Sequence, residues 1–340
     1  MRVAVHARAI DVALDALPSE WLGTTFRNEN LLGREAFASA LNDLVCGIVE
    51  SGASEVTTSA LEALGVAEDY LRVASNLSVF LELELARVAG HGDVRRVFSF
   101  ASEDAPASCA LLSTPAKRVT FYLGVGKLWG NEKIATLSAF TGRTIVVKRG
   151  VPTSACRDDD DDDDCVMMVR AGVGVGDGPC DAAFLRAAAA AGVAGVVDGS
   201  DLHVLDQSKL PPEAVATARK RAATPATHAL ALFKLRSMTP NPPPPFVDAA
   251  GRSTSLTRAS PSEIDGMQTH LQRLHGVDEG DFRARAFPPP EHLPNVFSAG
   301  LPALATMFGA LAKDGGVDVV MASTAYGGSS QLVDLLRERT

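Results

Sequence analysis

The chain has 340 residues, 46% of them hydrophobic, enough for one large core or two ordinary ones. Its formal charge of −9 comes mostly from seven consecutive aspartates at residues 158–164. Basic residues are scattered and aromatics few, so the composition offers no footprint for nucleic acid. Five cysteines without CxxC spacing, an N-terminus without a secretory apolar stretch and no apolar run long enough for a bilayer predict a soluble, cytoplasmic protein with no membrane partner.

Taken in chain order, residues 35–51 predict a helix, because Phe37, Leu41, Leu44, Val45 and Ile48 recur at helical spacing. Residues 70–88 predict a second, more apolar helix. Residues 95–99, 119–123 and 144–148 read as short strands. The aspartate run at 158–164 repels itself, so it predicts a solvated insertion. Metal sites, in contrast, interleave their carboxylates with glycines and carbonyls. From residue 166 the pattern is strand (VMMVRA), glycine loop (172–178), helix (181–191), strand (VAGVVD). That is a βαβ unit, for which parallel pairing is the natural consequence. The basic run Arg219-Lys220-Arg221 reads as a solvated helix face. Pro240 and Pro242 to Pro245 mark a stiff connector. The expected division is a divergent α/β region at 1–235, a linker at 236–255 and a C-terminal unit at 256–340.

Two phosphate motifs fail on inspection. The loop GVGVGDG lacks glycine at the sixth position of a dinucleotide fingerprint in either register, meeting Asp177 or Pro179 instead. Gly124-Val125-Gly126-Lys127 has Phe121 where a P-loop needs glycine, and Leu128 where it needs Ser or Thr. The histidines form no HExxH or comparable pair, which predicts no zinc motif.

Residues 296–339 are more informative. Ser298-Ala299-Gly300-Leu301 forms a small-residue turn before an apolar helical stretch; a strand-like run follows at 317–322, then Tyr326-Gly327-Gly328-Ser329. This order resembles the cofactor-binding half of the cystathionine γ-synthase/γ-lyase family of pyridoxal-phosphate enzymes in Cys/Met metabolism. Upstream, Leu256-Thr257-Arg258 stands where that family has Tyr-x-Arg, and MQTHLQRLHG at 267–276 aligns with its LExxLAxLEG helix. The tyrosine has become Leu256, and the Asn-Pro-Thr signature has drifted to Pro261-Ser262-Glu263. The resemblance covers about a quarter of the chain.

That resemblance implies an α/β fold of the type I pyridoxal-phosphate transferases, a mostly parallel sheet flanked by helices and incomplete at its C-terminus. It further implies that Ser298, Gly300 and Leu301 meet the cofactor phosphate, that Tyr326 stacks on the pyridine ring, and that Arg258 reaches the phosphate of a neighbouring subunit. The implied partners are a sulfur-containing amino acid and a second copy or an active paralogue. The family's imine-forming lysine has no recognisable Ser-x-x-Lys counterpart in these 340 residues. The expected chain is therefore truncated or catalytically impaired, and the alternative is a non-catalytic scaffold or regulatory pseudoenzyme. A fainter echo at Tyr70-Leu71-Arg72, LELELARVAG (81–90), Val97-Phe98-Ser99, Leu128-Trp129-Gly130 and VVDGSD (196–201) suggests a decayed internal copy, in which Asp198 would be the pyridine-nitrogen carboxylate. Helical periodicity alone also produces such echoes.

Overall fold

A computed structural model of the chain describes residues 2–22, 30–68, 73–125, 129–152, 164–170, 179–239, 246–247, 253–254, 300–311, 318–321 and 327–337. The helices, in chain order, are α1 (Arg2–Asp15), α2 (Arg34–Ser51), α3 (Thr58–Glu62), α4 (Asn76–Val88), α5 (Ala105–Ser113), α6 (Asn131–Thr141), α7 (Ala182–Ala190), α8 (Pro212–Ala222), α9 (His228–Ser237), α10 (Gly300–Leu311) and α11 (Gly327–Arg337). The strands are β1 (Val97–Ser99), β2 (Arg118–Val125), β3 (Thr144–Arg149), β4 (Asp164–Arg170), β5 (Gly195–Asp198), β6 (Asp201–Val204) and the small pair β7 (Phe246–Val247) and β8 (Ser253–Thr254).

Six strands form one sheet in the order β1-β6-β5-β4-β2-β3. The run β5-β4-β2-β3 is parallel throughout, while β6 is antiparallel to both β5 and β1. The protein is therefore α/β with a mostly parallel sheet, and the βαβ unit built on β4, α7 and β5 pairs as its sequence predicts.

Strand periodicity decides what each sheet face meets. Val119, Phe121, Cys165, Met167, Val169 and Val197 share one core with α5, α8, α10 and α11. The alternate residues Met168 and Val196 face a smaller cluster with Leu185 and Ala188 of α7. A third cluster holds α1, α2, α4 and α9 together, with Val97 of β1 at its edge. Among the described residues no helix is long and apolar enough to cross a membrane.

Several expected elements shift. The helix expected from residue 70 begins at Asn76, because Ser75 caps it: its hydroxyl accepts from Ser78 N while Ser78 Oγ accepts from Ser75 N. Residues 94–96 form a 3-10 turn, so the strand expected at 95–99 starts at Val97. Asp164, expected in the solvated run, instead opens β4; the rest of the run lies outside the described residues. The strand expected at 317–322 is absent from residues 318–321, where Val320 is 96% exposed. An apolar run becomes a strand only where a neighbour supplies ladder and packing partners.

The largest correction concerns the basic run on α8. Arg219 and Arg221 are buried rather than solvated. Arg219 reaches Glu82 of α4, a fully buried carboxylate that also pairs with Arg34 of α2. One Glu82 oxygen accepts from Ser99 N at 2.9 Å, Ser99 Oγ at 3.0 Å and Arg219; the other accepts from Arg34 Nε at 2.8 Å. Arg34 donates onward to the carbonyls of Val94 and Val97, and Arg219 to those of Ser99 and Val73. Both guanidinium groups also lie against the Phe98 ring, 5.0 and 5.2 Å from its centroid.

Burial pushes the Glu82 carboxyl up, but Arg219, Arg34 and the Ser99 N–H outweigh it and hold the group below its ordinary 4.5. A depressed carboxylate stabilises the fold above its unfolded value and loses that contribution as pH falls through its folded value. Removing the charge strands two arginines, which typically costs about 3–5 kcal/mol. Glu82→Gln is therefore expected to lower unfolding free energy by about that much at neutral pH. Urea titrations of both forms between neutral pH and pH about 3 should show the gap narrowing below pH 4.5.

Candidate functional site

In an open α/β sheet, ligands bind outside the carboxyl ends of the parallel strands. Here β4 ends at Arg170 and β5 at Asp198, and the register places these two side by side. The chain turns through Gly199, whose φ of 57° favours a residue without Cβ, and returns as β6. Asp201 then pairs with Asp198, and His203 with Val196. Cross-strand partners share a face, so Arg170, Asp198, Asp201 and His203 all lie on the side of the sheet that carries α7.

Around them the contacts are close. Cys180, just before α7, donates its N–H to Asp198 Oδ2 at 2.9 Å. Arg170 Nη1 donates to Cys180 Sγ at 3.0 Å, and Arg170 Nε stands 3.4 Å from Asp198 Oδ1. Lys234 of α9 donates to Ser200 Oγ at 2.8 Å and to Asp201 Oδ2 at 2.7 Å. The His91 ring, in the segment after α4, has its centroid 6.2 Å from that of His203.

Burial sets the electrostatics. Desolvation drives the Cys180 thiol well above its ordinary value, and the neighbouring Asp198 charge adds to the rise. It also raises Asp201, against the pull of Lys234. His203, fully buried and near His91, Lys234 and Arg170, is pushed down to about 3 and is neutral at physiological pH. Burial likewise lowers His91, helped by Arg96.

Polar satisfaction is incomplete here. Among the described residues, both ring nitrogens of His203, Nε2 of His91 and the Oδ1 atoms of Asp198 and Asp201 are buried without a hydrogen-bond partner. Trio geometry completes the picture: ligand atoms of Cys180, Asp198 and His203 all lie within 4.8 Å of one another.

The residues expected to hold pyridoxal phosphate are not brought together among the described residues. Ser298, Arg258 and Tyr326 lie outside them. Gly300 opens α10, and a Cβ there would meet no atom within 4 Å, so the described residues build no cradle around it. The Leu301 side chain is buried in the main core, beside Leu332 and Leu336 of α11. Of the fainter echo, Trp129 is core, edge-on to Phe121, and VVDGSD brings Asp198 and Asp201 to the carboxyl-edge cluster. Sequence reasoning missed Arg170, Cys180, Asp201, His203 and Lys234 as a group. The only local signal was the Asp198-Gly199-Ser200-Asp201 turn.

No protein-family model, curated protein or solved structure matches this chain.

The Lys234–Asp201 pair makes a separable test. Lys234→Met leaves Asp201 buried without its cation and is expected to cost about 3 kcal/mol. Adding Asp201→Leu in the same chain should recover most of that loss, since an apolar pair replaces an ionic one without stranding a charge. Denaturant titration of both variants and the parent measures the difference; a double variant no more stable than the single would refute the pairing.

Proposed function

We propose that this chain is a non-catalytic α/β protein, a scaffold or regulatory partner rather than a working lyase or transferase. Charge pairing at the carboxyl edge supports this reading. Arg170 faces Asp198 and Lys234 faces Asp201, so these two cationic heads beside the β5–β6 turn are already committed to carboxylates. An imine-forming lysine must present a free, neutral amine. Lys234 instead donates to two oxygens of the β5–β6 turn.

A second reading keeps pyridoxal-phosphate binding of the Cys/Met-metabolism type. It rests on the order Arg258, Ser298, Gly300, Leu301, Tyr326 in the sequence and on α10 opening at Gly300. Orphan N–H groups at such a helix start suit a phosphate. In that reading Ser298, Gly300 and Leu301 would hold the phosphate, Tyr326 the ring and Arg258 the phosphate of a neighbouring copy or paralogue. Bound there, the group would act as an electron sink for C–S bond chemistry on a sulfur amino acid.

The two readings separate in one experiment. The purified chain is mixed with pyridoxal phosphate, reduced with borohydride and mapped by peptide mass. The expected result is no imine at a defined lysine and no turnover of cystathionine. Stoichiometric trapping at one lysine, accompanied by turnover, would overturn the non-catalytic assignment. Binding without imine, abolished by Gly300→Asp and Tyr326→Ala, would instead establish the cofactor site as a relic.

A further inference from the structure

We infer that Cys180, Asp198 and His203 form a binding site for a divalent transition-metal ion of the zinc type. A sulfur, an oxygen and a nitrogen donor converge from three places: the segment before α7, the end of β5 and the middle of β6. All three residues are buried, and their ligand atoms lie within 4.8 Å of one another.

The second observation is independent of that spacing. Among the described residues, His203 is fully buried in the sheet with neither ring nitrogen hydrogen-bonded, and Asp198 Oδ1, ion-paired with Arg170 Nε at 3.4 Å, has no hydrogen-bond partner either. Buried polar groups in folded proteins are almost always satisfied, so unsatisfied ones call for an unseen ligand. A metal ion meets these two needs at once. It accepts a lone pair from neutral imidazole and a bond from the carboxylate oxygen.

Donor chemistry narrows the ion. Thiolate and imidazole disfavour magnesium and calcium, which take oxygen ligands, and favour zinc or a neighbour in its series. A tetrahedral zinc with bonds of about 2.0–2.3 Å spaces its ligands by roughly 3.4–3.8 Å, so side-chain shifts of about 1 Å close the trio. Charge also balances. On loading, the S–H bond of Cys180 breaks, its proton leaves to solvent, and a metal–sulfur bond forms. Thiolate and carboxylate then offset the two positive charges of the ion. Arg170, already donating to Cys180 Sγ, becomes an outer partner that holds the thiolate in place. The aspartate run at 158–164 is a different kind of ligand, oxygen only, and must be kept apart in the test.

The test uses the full reduced chain, stripped with chelator and loaded with zinc or with cobalt(II). Expected are about one ion retained per chain, and for cobalt a thiolate charge-transfer band together with the strong visible bands of a tetrahedral centre. Cys180→Ser should abolish the charge-transfer band, whereas Cys109→Ser should leave it. Asp198→Asn and His203→Asn should each weaken zinc at least about tenfold. Because the ligands are buried, far-ultraviolet circular dichroism checks each variant's fold, and the parent's cobalt spectrum stands without any variant. No retained ion, a charge-transfer band that survives Cys180→Ser, or binding lost only when residues 158–163 become serine would each overturn the assignment.

Discussion

A carboxylate with no access to water, Glu82, ties α2, α4, β1 and α8 together. Glu82 is fully buried in α4, and taking such a charge out of water costs several kcal/mol unless its lone pairs are filled. Two guanidinium groups and both the amide and hydroxyl of Ser99 fill them. Each of those donors belongs to a different part of the chain: Arg34 to α2, Ser99 to β1, Arg219 to α8. Packing of apolar clusters alone would tolerate sliding between these layers. A buried, directional network does not, because each shift leaves a charge unpaired.

The consequences run outward from Glu82 to the sheet's carboxyl edge. Ser99, held by Glu82, is the last residue of β1, and the next residue, Phe100, donates its N–H to the carbonyl of Ser200 at 2.8 Å. Ser200 is in the β5–β6 turn, where its hydroxyl and Asp201 receive Lys234. The same helix that carries Glu82 leads directly into His91, which neighbours His203. The turn bearing Asp198 and Asp201 is thus fixed from two sides by contacts that begin at one buried acid.

Much of the sheet was legible because its signal is local. β2, β3, β4 and β5 alternate or run apolar over a few residues, and the β4–α7–β5 unit follows from its order alone. β6 was not legible: Asp201-Leu202-His203-Val204 is four residues with two polar members, yet every one is buried. Arg219 was misread for the same reason that Glu82 was overlooked. Their partnership spans 137 residues, and nothing near either one announces it. The carboxyl-edge cluster fails to show in sequence because its members come from a helix approach, three strands and a distant helix. The apolar run expected as a strand at 317–322 misled in the opposite direction: its described residues, 318–321, form no strand, since apolarity without a partner strand does not make one.

Two groups of buried polar residues therefore coexist, and their difference in satisfaction separates their roles. Around Glu82 every oxygen is bonded, which is what a network serving stability requires. Around the β5–β6 turn, among the described residues, neither His203 nitrogen is hydrogen-bonded, and Asp198 and Asp201 each keep one oxygen without a hydrogen bond. Each such atom costs on the order of 1–3 kcal/mol relative to a satisfied one. A fold that invested only in stability would replace a buried, unbonded histidine by an apolar residue of similar size, as Val196 beside it already is. That polar residues persist there, at the edge where α/β sheets receive ligands, is the physical ground for placing function at this turn and not at the better-bonded charge cluster.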